Sequence, residues 1–368
     1  MKKLLIILIP YIVYSTEIDK IIYNGVEDSL AISLNSDLKS GEELDVSKID
    51  ILVSNFKYAK SNNIDVSIEP SIEENKSNII ITNKKTNPFK LSLGFDNYGE
   101  NNEVGKYRYN ISAGVEGLIL NEKLDISYIF VRPILPNRKA VKSVDELLPG
   151  EELEEVSDKR RSRRNENLDI NLSFPIKNNK IYLKYSNTRY LRSIITDNEN
   201  IYDISGLSNR YEIKVDRKLN KFIDLISSYS YIDRRSYVED VLSRRDSIHN
   251  FSIGLDSRIK EDHKLSLKLN NKIENGRYIP SFNLDYGYRD VLSVRNIIEN
   301  KEIDTSLDIN LKYKKLYSKI GFDTDYRSFN PRLKFGINLD ISRLNIDSSL
   351  EYNKRFRALF ALKFDIVK

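Results

Sequence analysis

From about Lys90 onward the chain is a succession of short runs in which apolar residues alternate with polar or charged ones. Clear examples are residues 264–270, 303–313 and 332–341. Because successive side chains of a strand point to opposite faces, each run predicts a strand with one apolar face and one charged face. Repeated about 15 times, this pattern is typical of a closed barrel with lipid outside and water inside.

The runs can be assigned to individual strands. We place them at residues 90–98, 106–118, 123–131, 167–176, 180–194, 201–219, 221–238, 249–259, 263–273, 281–296, 303–314, 316–327, 332–342, 344–353 and 356–367. Each is close to or longer than the ~9–11 residues that a tilted membrane strand needs. Single-chain bacterial barrels have even strand numbers. The pattern therefore predicts an all-β transmembrane barrel of about 16 antiparallel strands over residues 86–368.

Residues 17–85 have a different pattern and predict a small α+β module. Apolar residues at a spacing of three to four predict a helix over residues 44–56, with Asp45 or Ser47 as its N-cap. Alternating or apolar runs predict strands at 19–24, 30–34, 64–68 and 78–82. Such a module is soluble, and because it precedes the barrel we expect it in the periplasm.

The N-terminus has the features of a secretory signal peptide. Lys2 and Lys3 precede an apolar run over residues 4–14, which is too short to span a membrane. We expect cleavage after Ser15 or Thr16 and assign residues 1–16 to the signal peptide.

Composition limits the candidate chemistry. The chain has no Cys, only two His and a net charge of +5 from 59 Lys and Arg against 54 Asp and Glu. His249 and His263 fall at predicted strand starts and read as solvated turn residues. Nothing suggests a metal, a cofactor, a catalytic set or a nucleic-acid partner. The 23 Tyr suit the aromatic girdles of a membrane barrel.

The polar insert at residues 133–166 contains an acidic block followed by the basic run 159–164. One interpretation is a solvated extracellular loop. The other is a loop that contacts substrate or surface polysaccharide.

The motif around Asp96 leads to a family. Residues 87–99, which include Asp96-Asn97-x-Gly99, and the following Gly105 resemble the first barrel hairpin of two-partner-secretion transporters (TpsB), the ShlB/FhaC/HecB-type haemolysin secretion/activation proteins. Asp96, Asn97 and Gly99 can form a turn with positive φ, and Gly105 restarts the ladder. Weaker matches follow in order at residues 172–190 and 231–255, and residues 41–82 resemble the last part of the family's POTRA module.

This resemblance implies an outer-membrane pore that translocates an unfolded exoprotein of haemolysin or adhesin type. POTRA modules capture unfolded chains by adding strands to a sheet edge. We expect Leu44, Leu52, Phe56 and Ile68 to carry client binding. The other implied partners are outer-membrane lipid and the barrel-assembly machinery, and the expected state is a monomer. The alternative is a passive, porin-like channel or structural barrel.

The chain also departs from the family pattern. It has room for about one POTRA module, lacks the Val-Arg-Gly-Phe/Tyr tetrapeptide of the pore loop, and ends on Lys368 rather than on an aromatic residue. We therefore expect a divergent or truncated member.

Overall fold

The computed structural model describes residues 17–27, 30–97, 107–118, 120–131, 139–141, 155–157, 164–195, 201–259, 262–289, 291–299, 302–313, 315–324, 329–341, 344–353 and 355–367. The predicted signal peptide lies outside these residues. The chain divides into two compact units. The first contains the described residues up to Pro88 with 117–121 and 175–178, and the second contains the rest.

The first unit is a four-stranded sheet with two helices. Its elements are β1 (Glu17–Tyr23), β2 (Val26–Glu27), α1 (Leu30–Asn35), α2 (Val46–Phe56), β3 (Asn62–Pro70) and β4 (Lys76–Lys85). The sheet order is β2-β1-β4-β3, in which β1 and β4 are parallel and the other pairs are antiparallel. The strand β3 therefore forms one edge of the sheet.

Apolar residues of the sheet and of α2 form the core of this unit. Leu52 and Phe56 are fully buried, and the Phe56 ring stacks on Tyr23 with 5.2 Å between ring centroids. The other buried members are Ile18, Ile21, Ile32, Leu38, Ile49, Ile79 and Ile81. The helix α2 begins after Asp45, whose side chain accepts a hydrogen bond of 2.8 Å from the Ser47 backbone N–H. Of the two predicted N-caps, Asp45 is correct.

The prediction of a strand at residues 30–34 is wrong, because this segment is the helix α1. Ile32 and Asn35, three residues apart, are its buried side chains. The Asn35 side chain donates to the Ala31 carbonyl at 2.7 Å, and the Ser36 backbone N–H donates to the Ile32 carbonyl at 2.9 Å. A helix of fewer than two turns is too short for its period to be distinguished from alternation.

A buried asparagine network connects the pieces of the first unit. The Asn62 side chain donates to Asn121 Oδ1 at 2.6 Å, and the Asn121 side chain donates to Asn35 Oδ1 at 3.0 Å. The Asn55 side chain donates to the Asn35 carbonyl and to the Lys177 carbonyl, both at 2.8 Å. Because buried amides cost free energy when unpaired, these bonds fix the segments 117–121 and 175–178 within the unit.

The second unit is a closed barrel of 16 antiparallel strands, as predicted. Its strands are β5 (Phe89–Asp96), β6 (Arg108–Glu116), β7 (Lys123–Val131), β10 (Arg164–Ile176), β11 (Asn179–Ile195), β12 (Ile201–Lys218), β13 (Ile223–Val238), β14 (Val241–Ile259), β15 (His263–Glu274), β16 (Arg277–Tyr288), β17 (Leu292–Glu299), β18 (Glu302–Tyr313), β19 (Leu316–Thr324), β20 (Phe329–Ile341), β21 (Leu344–Asn353) and β22 (Arg355–Val367). Pairing of β22 with β5 closes it.

Within the predicted insert 133–166, residues 139–141 and 155–157 form a separate hairpin of β8 (Lys139–Val141) and β9 (Glu155–Ser157), and residues 164–166 already belong to β10. Neither helix among the described residues is long and apolar enough to cross a membrane.

The predicted run 281–296 spans parts of two strands, β16 and β17, which explains why 15 runs give 16 strands. The turn between them contains Arg289, whose φ of 48° is left-handed. The Arg289 side chain donates to Asp262 at 3.0 Å, and this hydrogen bond lowers the pKa of the Asp262 carboxyl. A turn built on Arg rather than on Gly or Asn has no clear sequence signal.

The two faces of the barrel wall differ as the alternation predicts. One face carries large apolar side chains that are exposed, and we assign it to lipid because water would solvate them poorly. These include Leu183, Ile213, Phe251, Ile253, Leu255, Leu269, Phe335, Ile337 and Leu350. The residues between them along each strand are mostly polar or charged and face the lumen.

Aromatic residues lie at both edges of the apolar band on the lipid face. A row of Tyr185, Tyr211, Tyr231 and His249 crosses β11 to β14, with centroid distances of 5.2, 6.4 and 4.9 Å. His249 pairs in register with Ile273 of β15. His263, ten residues before Ile273 on the same strand, packs on Tyr288 at 4.9 Å. Ten residues at ~3.3 Å each on a strand tilted ~40° span about 25 Å along the membrane normal, the expected height of the band.

Leu52→Ala should destabilise the first unit by about 2–5 kcal/mol, because it leaves a cavity in a closed core. Hydrogen exchange of the β1 and β4 amides in the full-length protein measures this change. The matched control is Val46→Ala in the same helix, where the side chain is 62% exposed and the change should stay within about 0.5 kcal/mol. Equal losses at both positions would contradict this account of the core.

Candidate functional site

The lumen wall is lined by charges that are paired with one another. Asp308 contacts Lys319 at 3.3 Å and Arg332 at 3.2 Å, and Arg295 contacts Asp285 at 2.9 Å. Further pairs two residues apart on one strand are Arg210–Glu212, Lys214–Asp216 and Lys272–Glu274. Because each pair places opposite charges side by side, the pairs keep the interior polar without a strong field of one sign.

Between these charges lies a patch of neutral hydrogen-bonding groups on β13 to β16. Ser228 and Ser252 share a hydrogen bond of 2.6 Å, and the Asn250 side chain donates to Ser230 at 3.2 Å. The Asn270 side chain donates to Ser281 Oγ at 3.4 Å. Hydroxyls and amides of this kind can both donate and accept hydrogen bonds, so they can bond to water or to the backbone of an extended chain.

On the lumen face two tyrosines lie across glycines of the neighbouring strand. A Cβ at Gly336 would collide with the Tyr317 ring, and a Cβ at Gly206 would collide with the Tyr190 ring. The Tyr317 hydroxyl also donates to Asp347 Oδ1 at 2.8 Å. Glycine is required at these two positions because only it leaves room for the ring over the strand.

The seam between the first and last barrel strands is reinforced by Asn97. Its side chain accepts from the Phe360 backbone N–H at 2.6 Å and donates to the Ala358 carbonyl at 2.9 Å. Its backbone N–H donates to the Phe360 carbonyl at 3.0 Å. One residue thus extends the β5–β22 ladder past its last paired residue.

The structure gives the predicted turn motif another role. Asp96 ends β5 and forms a two-point ion pair with Arg108 across the β5–β6 hairpin, at 2.7 and 3.0 Å. Neither Asp96 nor Asn97 is among the described residues with positive φ, so the expected turn geometry is not found at these two positions. Gly99 and Gly105 lie outside the described residues. Sequence reasoning missed the seam contact, since nothing near Asn97 signals a partner more than 260 residues away.

The four predicted client-binding residues fall in different environments. Leu52 and Phe56 are core residues with 0% and 1% exposure, so they support the fold of the first unit and offer no surface to a client in this conformation. Leu44 is half-buried against the same core. Ile68 is 48% exposed on the edge strand β3.

The histidines are not turn residues of the kind predicted for them. His249 lies inside β14, where its Nδ1 is 3.0 Å from the Tyr229 hydroxyl, and this corrects its assignment to a strand start. His263 begins β15, but its ring packs against Tyr286 and Tyr288. Among the described residues no group of three or more His, Asp or Glu is arranged to hold a metal ion.

Comparison with known proteins identifies the family. Residues 75–283, more than half of the chain, match the family described as "Haemolysin secretion/activation protein ShlB/FhaC/HecB". A comparison with curated proteins finds no significant match.

Solved structures show the same fold. CdiB from Acinetobacter baumannii superposes with a TM-score of 0.68 at 12% identity, covering 95% of this chain and 74% of that chain. CdiB from Escherichia coli gives 0.69 at 12% identity, covering 96% and 77%. BamA from Haemophilus ducreyi lacking POTRA domains 1–3 gives 0.53 at 9% identity, covering 95% and 85%.

A closed barrel with an apolar outer band and a charged lumen defines an outer-membrane β-barrel protein. The chain belongs to the ShlB/FhaC/HecB haemolysin secretion/activation family. It is therefore a two-partner-secretion translocator of the outer membrane, and its partner is an exoprotein. The family is one of protein transporters rather than enzymes, and nothing favours the passive channel.

Asn97→Ala should weaken the seam by about 1–3 kcal/mol, because it removes two hydrogen bonds and leaves the Phe360 amide without its side-chain partner. In SDS gel electrophoresis the folded barrel and the heat-unfolded chain migrate differently. The variant is expected to change to the unfolded mobility at a lower temperature. Asn110→Ala is the control, since its side chain accepts one hydrogen bond of 3.1 Å from Ser127 away from the seam. A control that loses as much heat stability as Asn97→Ala would argue against a special role of the seam residue.

Proposed function

We propose that residues 17–85 form a periplasmic, POTRA-like module that captures the unfolded exoprotein and delivers it to the barrel, residues 86–368. The observation that carries this proposal is the sheet order β2-β1-β4-β3, in which β3 pairs on one side only within the described part of the chain. An unpaired edge is a template for an incoming extended chain.

The edge strand has features that suit transient capture. Its residues from Asn63 to Pro70 are half-buried or exposed, and they include the apolar Ile68 beside the charged Glu69. Backbone hydrogen bonds to such an edge bind many sequences, because they depend little on the client's side chains. Charged residues along an edge also limit permanent pairing between edges. Binding that is general and reversible is what a module that hands a chain onward needs.

The lumen wall then serves as a passage. Its paired charges and its Ser and Asn side chains offer hydrogen bonds throughout, while the apolar residues face lipid. We propose that an extended client meets mainly polar contacts that it can exchange as it moves. We propose that no catalytic step by this chain is required and that folding of the client outside draws it forward.

We further propose how the protein is oriented in the membrane and which partners surround it. The module faces the periplasm, so the barrel end where β5 begins and β22 ends is the periplasmic end, and the opposite end faces outward. Outer-membrane lipid contacts the apolar band, the barrel-assembly machinery inserts the chain, and the working unit is a monomer. Cleavage of residues 1–16 as a signal peptide belongs to the same proposal.

Deletion of residues 17–85 should abolish secretion of a cognate exoprotein, because the barrel loses the surface that captures it. The deletion variant should still reach the outer membrane, and its mobility in SDS gel electrophoresis should change on heating as that of a folded barrel does. The measurement is the exoprotein released into the medium, compared at equal amounts of inserted barrel. Undiminished secretion would disprove capture by the module.

A cysteine at the edge strand should cross-link to the client. The natural chain has no Cys, so Ser67→Cys on β3 and Ser33→Cys on α1 are both unique and both exposed. With a client carrying one cysteine, a bismaleimide should trap the Ser67 variant at least about fivefold more than the Ser33 variant, because strand addition brings the client to β3. Equal trapping at the two positions would show that contact with the edge is not specific.

A further inference from the structure

A compact charged cluster lies on the lipid face just beyond the aromatic row. Asp233 and Arg235 follow Tyr231 along β13 at intervals of two residues, so all three side chains share that face. Across the ladder Tyr231 pairs with His249, and Arg235 pairs with Arg245. Relative to the periplasmic end of the barrel, the cluster therefore lies one to two residue rows beyond the aromatic row.

The aromatic row fixes the depth of this cluster in the membrane. Below the row the same face carries the exposed apolar residues Phe251, Ile253 and Leu255. Tyr side chains favour the boundary between hydrocarbon and headgroups. The cluster beyond them is therefore at the level of the lipid headgroups rather than of the acyl chains.

Asp233 holds the two arginines side by side. Arg235 donates to Asp233 Oδ2 through Nε at 3.0 Å and Nη2 at 2.7 Å, and Arg245 donates to Oδ1 through Nε at 3.1 Å. The side chain of Asp233 is 9% exposed, while those of Arg235 and Arg245 are 37% and 57% exposed. One carboxylate cannot neutralise two guanidinium groups, and each guanidinium has five N–H donors.

A third arginine adds to the positive charge of this face. Arg189 of β11 is exposed and on the same face as Tyr185, and its Nε donates to Asn187 at 3.0 Å. The Asn187 side chain in turn donates to Asn209 at 2.6 Å, in the row directly beyond the aromatic residues. Polar groups thus continue the headgroup level across β11 to β14.

We propose that Arg235 and Arg245, positioned by Asp233, bind the phosphate groups of an anionic lipid of the outer leaflet. Paired guanidinium groups match phosphate oxygens in charge and geometry. A lipid fits better than a soluble anion because the cluster is continuous with the aromatic row and the apolar band, which would contact the acyl chains of the same molecule. The inference rests on the proposed orientation, in which this end of the barrel faces outward.

The test uses the full-length folded protein in detergent micelles, titrated with bis-phosphorylated lipid A and followed by native mass spectrometry. The variant is Arg235→Gln with Arg245→Gln. The matched control is Arg234→Gln with Arg244→Gln, because these arginines are adjacent in sequence but on the lumen face. Arg244 also has a buried carboxylate partner, Asp246, at 2.8 Å, so both variants leave one such carboxylate without an arginine. Heat-modifiable migration confirms that each variant is folded.

We expect the lipid-face variant, Arg235→Gln with Arg245→Gln, to bind lipid A about tenfold more weakly than the natural protein. The lumen-face control should stay within about twofold of the natural protein. The natural protein should also bind a phosphate-free glycolipid about tenfold more weakly than lipid A. If the double variant does not fold, Arg245→Gln alone keeps the Arg235–Asp233 ion pair and should still weaken binding about threefold.

Equal losses of lipid A affinity in the two variants, or no loss of affinity in the lipid-face variant, would overturn the proposal. Displacement of lipid A by excess inorganic phosphate would assign the cluster to a free anion and overturn the choice of a lipid. Binding in micelles depends neither on a client nor on the direction of insertion. A failure to bind lipid A would therefore not argue against the secretion function. Likewise, the outcome of deleting residues 17–85 does not bear on the lipid proposal.

Discussion

The structure depends on the need to pair every backbone N–H and C=O group of a chain that crosses hydrocarbon. Unpaired backbone groups cost several kcal/mol each in lipid, so an open sheet is not a stable spanning structure. Closure of β22 onto β5 removes the two edges that a 16-stranded sheet would otherwise have. The alternation of side chains then follows from the barrel, since each strand has one face toward lipid and one toward water.

The first unit of the chain solves the opposite problem. It is a small sheet with a helix-packed core, and among the residues that the structure describes its edge strand β3 pairs only with β4. In water an unpaired edge is tolerable because solvent satisfies its backbone groups, and it remains available for strand addition. One chain thus combines a closed sheet without edges, suited to crossing lipid, with a small open sheet whose edge we propose as the site of client capture.

Much of the fold could be predicted because alternation along a strand is a local property. The strands Lys123–Val131 and Leu344–Asn353 have the predicted bounds, and the strand number follows from the even-number rule. Failures occur where local signals are weak or shared. The short helix α1 has the same apolar spacing as a strand over its few residues, and the β16–β17 hairpin turns on Arg289, which is not a typical turn residue.

The site was less predictable than the fold. Leu52 and Phe56 have the apolar character expected of client contacts, but the packing of α2 buries them, and only Ile68 of the predicted set is clearly exposed. Asn97 belongs to a motif that suggests a turn, yet its side chain bonds to Phe360 and Ala358 at the other end of the chain. Burial and long-range partners depend on which elements pack together, and that information is not contained in any short window of sequence.

The sequence alone determined the barrel, the polar lumen and the resemblance to secretion transporters, because alternation and composition can be read from short stretches of the chain. Only the tertiary structure decided which strands meet at the seam and that β3 is left at an edge. It also revealed how Arg235 and Arg245 share Asp233 beyond a row of aromatic rings. These features arise from register between strands, which brings together side chains that the sequence keeps apart.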